Sequence, residues 1–477
     1  MGSAPNPFKD QSLSLIKRIL PLTLYALLPI ALLPTVLLCL HFYYPLSFPS
    51  SSSSPQTHLL PHSNSITVTY HSSLSSSSSS FPPPPSSPSP SSSTTKNSPS
   101  TEKENSYYYD DNENKCDYSN GEWVSDKRGP LYNATSCGTV KDSEKCTPNG
   151  RPDSGYLYWR WKPSQCNLPR FDPNTFLQLV TNKHIAFLGD SLARNQLESL
   201  LCMLSTTSTP NLVYTNGEDN KFRRWHFPSH NSTFSLYWSP FLVQGVERSN
   251  NGQYYNTMYL DHVNERWARD IGNWDIIVIS FGHWFLIPSI YYEGGRVLGS
   301  LNVAEFNHTQ IDFYDPLRKA LRTTLNTIIE RKIMKLLGGR NGNSNNMKGV
   351  DVIVKTFSPA HFEGDWDKAG TCSKTGPYRE EEKKLEGMDA EIRRIEIEEV
   401  KKANNESGLL GFIRFDALDV TKLALLRPDG HPGPYMNPFP FAKGVPEHVQ
   451  NDCVHWCLPG PIDTWNEIFL EMIKKWK

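Results

Sequence analysis

The sequence predicts an α/β domain, a three-layer α/β/α sandwich on a mainly parallel sheet, preceded by a loop-rich lobe held by disulfides. Three observations carry that expectation. Short apolar runs alternate with helical stretches from His184 onward, as strands joined by crossover helices do. Eight of the nine cysteines follow residue 115. A Gly189-Asp190-Ser191 turn joins the first apolar run to the first helix, at what would be the carboxyl end of a buried strand.

Lys+Arg 48 against Asp+Glu 49 gives a net charge of -1, so no global field attracts nucleic acid or an anionic membrane. The expected ligand is neutral or locally recognised. Twelve Trp, 21 Tyr and 22 Phe are enough both to fill a core and to stack on sugar faces.

Residues 1–18 read as a short cytosolic tail ending in Lys17-Arg18. Residues 19–44 contain no charged side chain and are long enough to cross a bilayer core of roughly 30 Å. With Lys9, Lys17 and Arg18 before this run, the positive-inside rule places everything after it on the lumenal side. A cleaved signal peptide is the competing reading, but its apolar core usually runs about 7 to 15 residues, so an uncleaved signal anchor is expected. Residues 45–114 are dominated by Ser and Pro and cannot bury enough apolar surface to offset chain entropy. They read as a disordered lumenal stem, open to O-glycosylation.

Cys116, Cys137, Cys146, Cys166, Cys202, Cys372, Cys453 and Cys457 all follow the stem. An even set on the lumenal side suits disulfides, and the absence of a C-x-x-C pair speaks against a zinc site. Sequence does not choose their pairing. Asn133, Asn231, Asn307 and Asn405 each begin an N-x-[ST] sequon, consistent with secretory passage. Residues 115–180, with Gly121-Glu-Trp123-Val, Gly150-Arg151-Pro152-Asp153 and Tyr158-Trp159-Arg160-Trp161, show little periodicity and form the predicted lobe; its aromatic residues are expected to pack structurally or line a groove. Residues 181–477 form the predicted core.

Strands are expected at 184–188, 212–215, 233–238, 275–280, 350–356 and 411–415, with helices after Ser191, over 312–337, over 379–404 and after Pro461. Gly282-His283-Trp284 and Ser358-Pro-Ala-His361 follow two of those strands and could line the same cleft as Ser191. Ser191 itself has two readings. It is a nucleophile at a helix N-terminus, or merely a cap flanked by the solvated charges Asp190 and Glu198.

A serine nucleophile needs a base and a group to orient that base. His455 lies in Asn451-Asp452-Cys453-Val454-His455-Trp456-Cys457, with Asp452 three residues before it and a cysteine on either side. Two disulfides there would fix the loop rigidly, which suits a base that must be accurately placed. Ser191, His455 and Asp452 are therefore the expected triad.

The Cys116-Asp-Tyr-Ser-Asn-Gly-Glu-Trp123 opening, Gly189-Asp190-Ser191-Leu-Ala-Arg194-Asn195, Gly282-His283-Trp284-Phe285 and Asp452-Cys-Val-His455-Trp-Cys457-Leu-Pro-Gly-Pro resemble the plant trichome birefringence-like proteins. These are Golgi polysaccharide O-acetyltransferases related to SGNH/GDSL esterases. The resemblance implies an SGNH-like core, with Ser191 as nucleophile, His455 as base, Asp452 as orienter, and Gly189, Asp190, Arg194 and Asn195 in support. It implies a Golgi membrane protein of single-pass type II topology, a polysaccharide acceptor, no nucleic acid, no metal, no bound cofactor, and an acetyl donor that could derive from acetyl-CoA through a partner membrane protein. The Gly-x-Asn-Asp block of ordinary SGNH esterases is missing, which leaves backbone N–H groups near Ser191 and Gly282 as oxyanion donors. Gly150-Arg-Pro-Asp153 and Leu426-Arg-Pro-Asp429-Gly-His431-Pro look most like the members that acetylate xyloglucan side chains. Mannan and xylan acceptors, an acetyl esterase using the same triad, and a non-catalytic wall-glycan-binding protein are the alternatives.

Overall fold

A computed structural model of the chain describes residues 116–476, apart from 217–220, 250–251, 306, 339–348 and 409–410. The expected cytosolic tail, signal anchor and stem lie outside the described residues. No helix among the described residues is long and apolar enough to cross a membrane.

The centre is a seven-stranded sheet. Its strands are β3 (His184–Gly189), β4 (Asn211–Asn216), β5 (Phe222–Phe227), β6 (Ser232–Trp238), β9 (Ile276–Ser280), β12 (Val350–Lys355) and β13 (Ile413–Leu418), in the order β13-β12-β9-β3-β6-β5-β4. From β13 to β6 neighbouring strands run parallel, and β5 and β4 close one edge as an antiparallel ribbon. Parallel strands buried on both faces should read as continuous apolar runs, and Ile276-Ile-Val-Ile279 does.

Because side chains alternate across a strand, each strand feeds two cores. Ile185, Phe187, Ile276 and Val278 join one cluster, packed by α1 (Pro173–Leu179), α2 (Ser191–Ser205) and α5 (Asp463–Lys474) through Phe176, Leu197, Trp465 and Phe469. Ala186, Leu188, Ile277 and Ile279 join the other, packed by α3 (Tyr314–Gly338) and α4 (Gly387–Ser407) through Leu317, Leu321, Ile392 and Ile395. The sandwich is therefore three-layered, as the sequence implies. Each fully buried aliphatic side chain contributes about 1.5–3 kcal/mol, so the two clusters account for most of the drive to fold.

Three features differ from the sequence reading. The predicted 379–404 helix begins only at Gly387, whose φ of 60° marks a left-handed turn that a helix interior would not tolerate. A second, four-stranded sheet, β11-β10-β8-β7, is built from β7 (Val243–Val246), β8 (Asn256–Val263), β10 (Ser289–Glu293) and β11 (Arg296–Leu301). The lobe is not all loop, since β1 (Gly121–Ser125) pairs antiparallel with β2 (Trp159–Pro163). Its tryptophans serve packing: Trp123 and Trp161 are buried edge to face at 5.5 Å.

All eight cysteines of the described residues pair, as Cys116–Cys166, Cys137–Cys202, Cys146–Cys457 and Cys372–Cys453. The first lies near the lobe's own hairpin. The second ties the lobe to α2, and the third ties it to the segment carrying His455 across 311 residues. The sequon asparagines Asn133, Asn231, Asn307 and Asn405 are all exposed.

The chain leaves β3 toward one core and β9 toward the other, so the crevice at their carboxyl ends is a topological switch point. Gly189 pairs with Ser280 there, at φ 148°, and a Cβ at Gly189 would stand 1.7 Å from the Ser280 carbonyl oxygen. Only glycine fits. We expect Gly189→Ala to destabilise the domain by on the order of 5 kcal/mol and to yield little folded protein, while Gly376→Ala, with open space around it, folds normally. Thermal unfolding of the two variants checks this.

Candidate active site

The turn after Gly189 aims Ser191 out of the sheet. Asp190 caps α2 by accepting the Leu192 N–H at 2.9 Å, which leaves Ser191 as the first helical residue, at the positive end of the helix dipole. Asp190 and Glu198 are not solvated charges, as one sequence reading held. Each is only 1% exposed, because the lobe and β9 close over them. Burial pushes both carboxyls above their usual range.

The second half of the site is the loop 451–457. Asp452 accepts the backbone N–H groups of Val454 and His455 with one carboxylate oxygen and the His455 Nδ1–H with the other, at 2.8 Å. Burial works against this charge, yet the His455 imidazole, by its charge and its hydrogen bond, and the two N–H groups outweigh it and hold the carboxyl well below the ordinary range. A carboxylate only accepts, so Nδ1 carries the imidazole proton. His455 Nε2, the other ring nitrogen, is buried and has no hydrogen-bond partner among the described residues.

Asn195 joins the two halves. One turn after Ser191 and fully buried, its Oδ1 accepts the Trp456 N–H at 2.8 Å. Its Nδ2 donates to the Trp456 carbonyl at 3.2 Å and to the Glu144 carboxylate at 2.9 Å. The helix that Ser191 begins and the His455 loop are thus clamped together by hydrogen bonds from the Asn195 side chain to the main chain next to His455.

Comparison with known proteins identifies the family. A model of the GDSL/SGNH-like acyl-esterase family found in Pmr5 and Cas1p matches residues 168–472, and a model of the PMR5 N terminal domain matches residues 114–167. The chain belongs to this PC-Esterase family. Xyloglucan O-acetyltransferase 1 of Populus trichocarpa is 56% identical to it over 482 residues, covering 100% of this chain and 98% of that protein. Xyloglucan O-acetyltransferase 2 of the same species is 63% identical over 77% of this chain and 84% of that protein. Xyloglucan O-acetyltransferase 1 of Arabidopsis thaliana is 55% identical over 77% of this chain and 82% of that protein.

Around the PC-Esterase site, Glu144, Lys355 and Glu396 are residues that motif reading missed. Arg194 stands 3.8 Å from both Glu144, in the lobe, and Glu198. Behind Asp190, Lys355 at the end of β12 is fully buried, with Nζ 5.0 Å from the Trp465 ring and no hydrogen-bond partner. Burial lowers Lys355 to about 8 and raises Glu396 to about 8. Glu396 in turn accepts the Phe357 N–H at 2.7 Å. Phe357 stacks on His283 at 4.5 Å, and its ring would lie 2.9 Å from a Cβ on Gly282, whose φ is 129°. The predicted meeting of the Gly282 and Ser358 segments is real, since His283 Nε2–H donates to the Ser358 carbonyl at 2.9 Å. A lysine ending the apolar Val350-Asp-Val-Ile-Val354 run and a glutamate on the Ile392/Ile395 stripe were the available signals.

Replacing Asn195 by Ala leaves the Trp456 N–H and the Glu144 carboxylate without their partner. We expect a loss of about 2–3 kcal/mol, read as a lower urea midpoint at unchanged slope.

Proposed function

We propose that this chain is a polysaccharide O-acetyltransferase that moves acetyl groups onto hydroxyls of xyloglucan through an acetyl-serine intermediate, with Ser191, His455 and Asp452 as its triad. The observation that carries the chemistry is the buried, unpartnered Nε2 of His455, held by Asp452 and clamped through Asn195 to the helix that Ser191 begins. The acceptor follows from the names of the relatives described above.

His455 Nε2 takes the Ser191 hydroxyl proton as Oγ attacks the acetyl carbonyl of the donor; the donor's leaving group departs with that proton. A sugar hydroxyl then gives its proton to Nε2 as its oxygen attacks the acetyl-serine, and Ser191 leaves as the hydroxyl. Backbone N–H groups at Ser191 and Gly282 would stabilise each oxyanion, and Gly189, Asp190 and Arg194 hold the turn that carries Ser191. Transfer prevails over hydrolysis where the cleft holds sugar and keeps water out.

The setting we propose is the Golgi membrane, with one N-terminal signal anchor and a lumenal domain. The charge-free run 19–44 behind Lys17-Arg18, the four disulfides and the exposed sequons support it. A second membrane protein would deliver acetyl groups derived from acetyl-CoA. No bound cofactor enters the scheme.

Full-length protein incubated with an acetyl donor and xyloglucan, mannan or xylan oligosaccharides should acetylate xyloglucan, read by mass spectrometry. Ser191→Ala and His455→Ala should each lose on the order of a thousand-fold in rate. Free acetate without acetylated sugar would make the protein an esterase instead.

A further inference from the structure

Beneath the His455 loop two further histidines, His361 and His431, are buried at 7% and 2% exposure and arrive from separate loops. Their outer nitrogens face backbone carbonyls. His361 Nε2 lies 2.8 Å from the Leu425 carbonyl oxygen, and His431 Nδ1 lies 2.7 Å from the carbonyl oxygen of His455 itself. A carbonyl oxygen only accepts, so each of these nitrogens must carry a proton. The inner nitrogens, His361 Nδ1 and His431 Nε2, are 2.7 Å apart. In two neutral imidazoles both would be lone pairs pointed at each other. Only a third proton between them turns that contact into a hydrogen bond.

We propose that the His361–His431 pair holds this third proton, making one shared imidazolium that positions the catalytic loop through a charge-assisted hydrogen bond to the His455 carbonyl. That role rests on the reading of His455 as the base; the shared proton does not.

Other contacts fit a cation here. The His431 ring lies 4.2 Å from the Trp456 ring at a 30° tilt, within the range where an indole face attracts positive charge, and His361 lies 6.3 Å from the same ring. The Trp456 backbone is the one that Asn195 clamps. Asp452 from the loop itself, Asp429 beside His431 in sequence and Glu363 beside His361 favour the charge, while Arg151 of the lobe and Lys383 oppose it. Asp429 is already held by Arg427, and Arg151 donates to the carbonyls of His431 and Asp429. On the far side of His361 lies the Tyr378 ring, at 6.4 Å. Burial pushes His361 down to about 4 and His431 well below the ordinary range, so desolvation acts against the shared charge and the three hydrogen bonds of the pair have to outweigh it.

A pair that binds a proton more tightly when folded than an unfolded histidine, near 6.5, stabilises the fold below that pH. The stabilisation is lost as pH rises through the folded value. In His361→Gln the amide N–H can donate to His431 Nε2, so that hydrogen bond survives without the charge. Full-length protein labelled with 15N-histidine should show one strongly downfield proton coupled to ring nitrogens of both residues at pH 6, absent in His361→Gln. Between pH 6 and 9 the wild-type melting temperature should fall further than the variant's by roughly 2–4 °C. The wild-type kcat should fall over the same range with KM steady, and the variant's kcat should lack this limb. Two neutral imidazoles in the wild-type spectrum at pH 6, or parallel pH profiles for the two proteins, would overturn the proposal. Absence of transfer activity from both proteins, with the bridging proton present in the wild type, would instead fault the proposed transferase reading and leave the shared proton standing.

Discussion

The site depends on one buried carboxamide. Asn195 makes hydrogen bonds to the N–H and the carbonyl of Trp456 across 261 positions of sequence, and its remaining donor goes to Glu144 in the lobe. A side chain that answers both polar groups of a single peptide residue fixes where that residue is and how its plane is turned. His455, one position earlier, inherits that placement, and Ser191, one helical turn earlier on α2, shares the same rigid body. The serine and the histidine loop are thus set relative to each other by hydrogen bonds that shield their partners from water, and unmaking them would strand buried polar groups.

Such a clamp works only if the loop has little freedom to begin with. Cys453 and Cys457 anchor it to Cys372 and to Cys146, and Asp452 draws its backbone into a tight turn by accepting two N–H groups before it receives the imidazole. Covalent anchors restrict where the segment can go, while the carboxylate decides the rotamer and tautomer of His455. The disulfides limit the unfolded ensemble and contribute about 2–4 kcal/mol each by that route. Asp452 contributes at short range, where fractions of an ångström matter for proton transfer.

Much of this was legible in the sequence because it is local. The apolar run His184–Leu188, the glycine that a close approach to Ser280 demands, the helical spacing of Leu197, Leu200, Leu201 and Leu204, and the Asp452-x-x-His455 spacing all express their geometry within a few residues. What was not legible is relational. Glu144 sits in a lobe without periodicity, and nothing near it in sequence announces that it meets Asn195 from another element. His361 and His431 come from loops 70 residues apart and become a pair only when both strands and their connections are in place. The second sheet was missed because its short strands alternate polar and apolar residues no more regularly than loops do. The 379–404 helix was started too early because charged residues favour helix on any count, while the turn at Gly387 is a matter of backbone sign that composition does not reveal.

The two apolar cores and the polar site divide the labour of the fold along the strands. Midway along β3, β9 and β12 every residue is aliphatic or aromatic and serves stability. At their carboxyl ends polarity returns abruptly, as Asp190, Ser280 and Lys355, all nearly or wholly buried. Charges in that position do not stabilise the domain, since taking an ion out of water costs more than imperfect pairing returns. Asp190 and Lys355 are each left with a buried atom that makes no hydrogen bond, and Glu396 beside them is the same. A fold selected for stability alone would place hydrocarbon there. On β3, β9 and β12 these unpartnered atoms gather directly behind the Gly189-Asp190-Ser191 turn, where they would act on the chemistry proposed for Ser191.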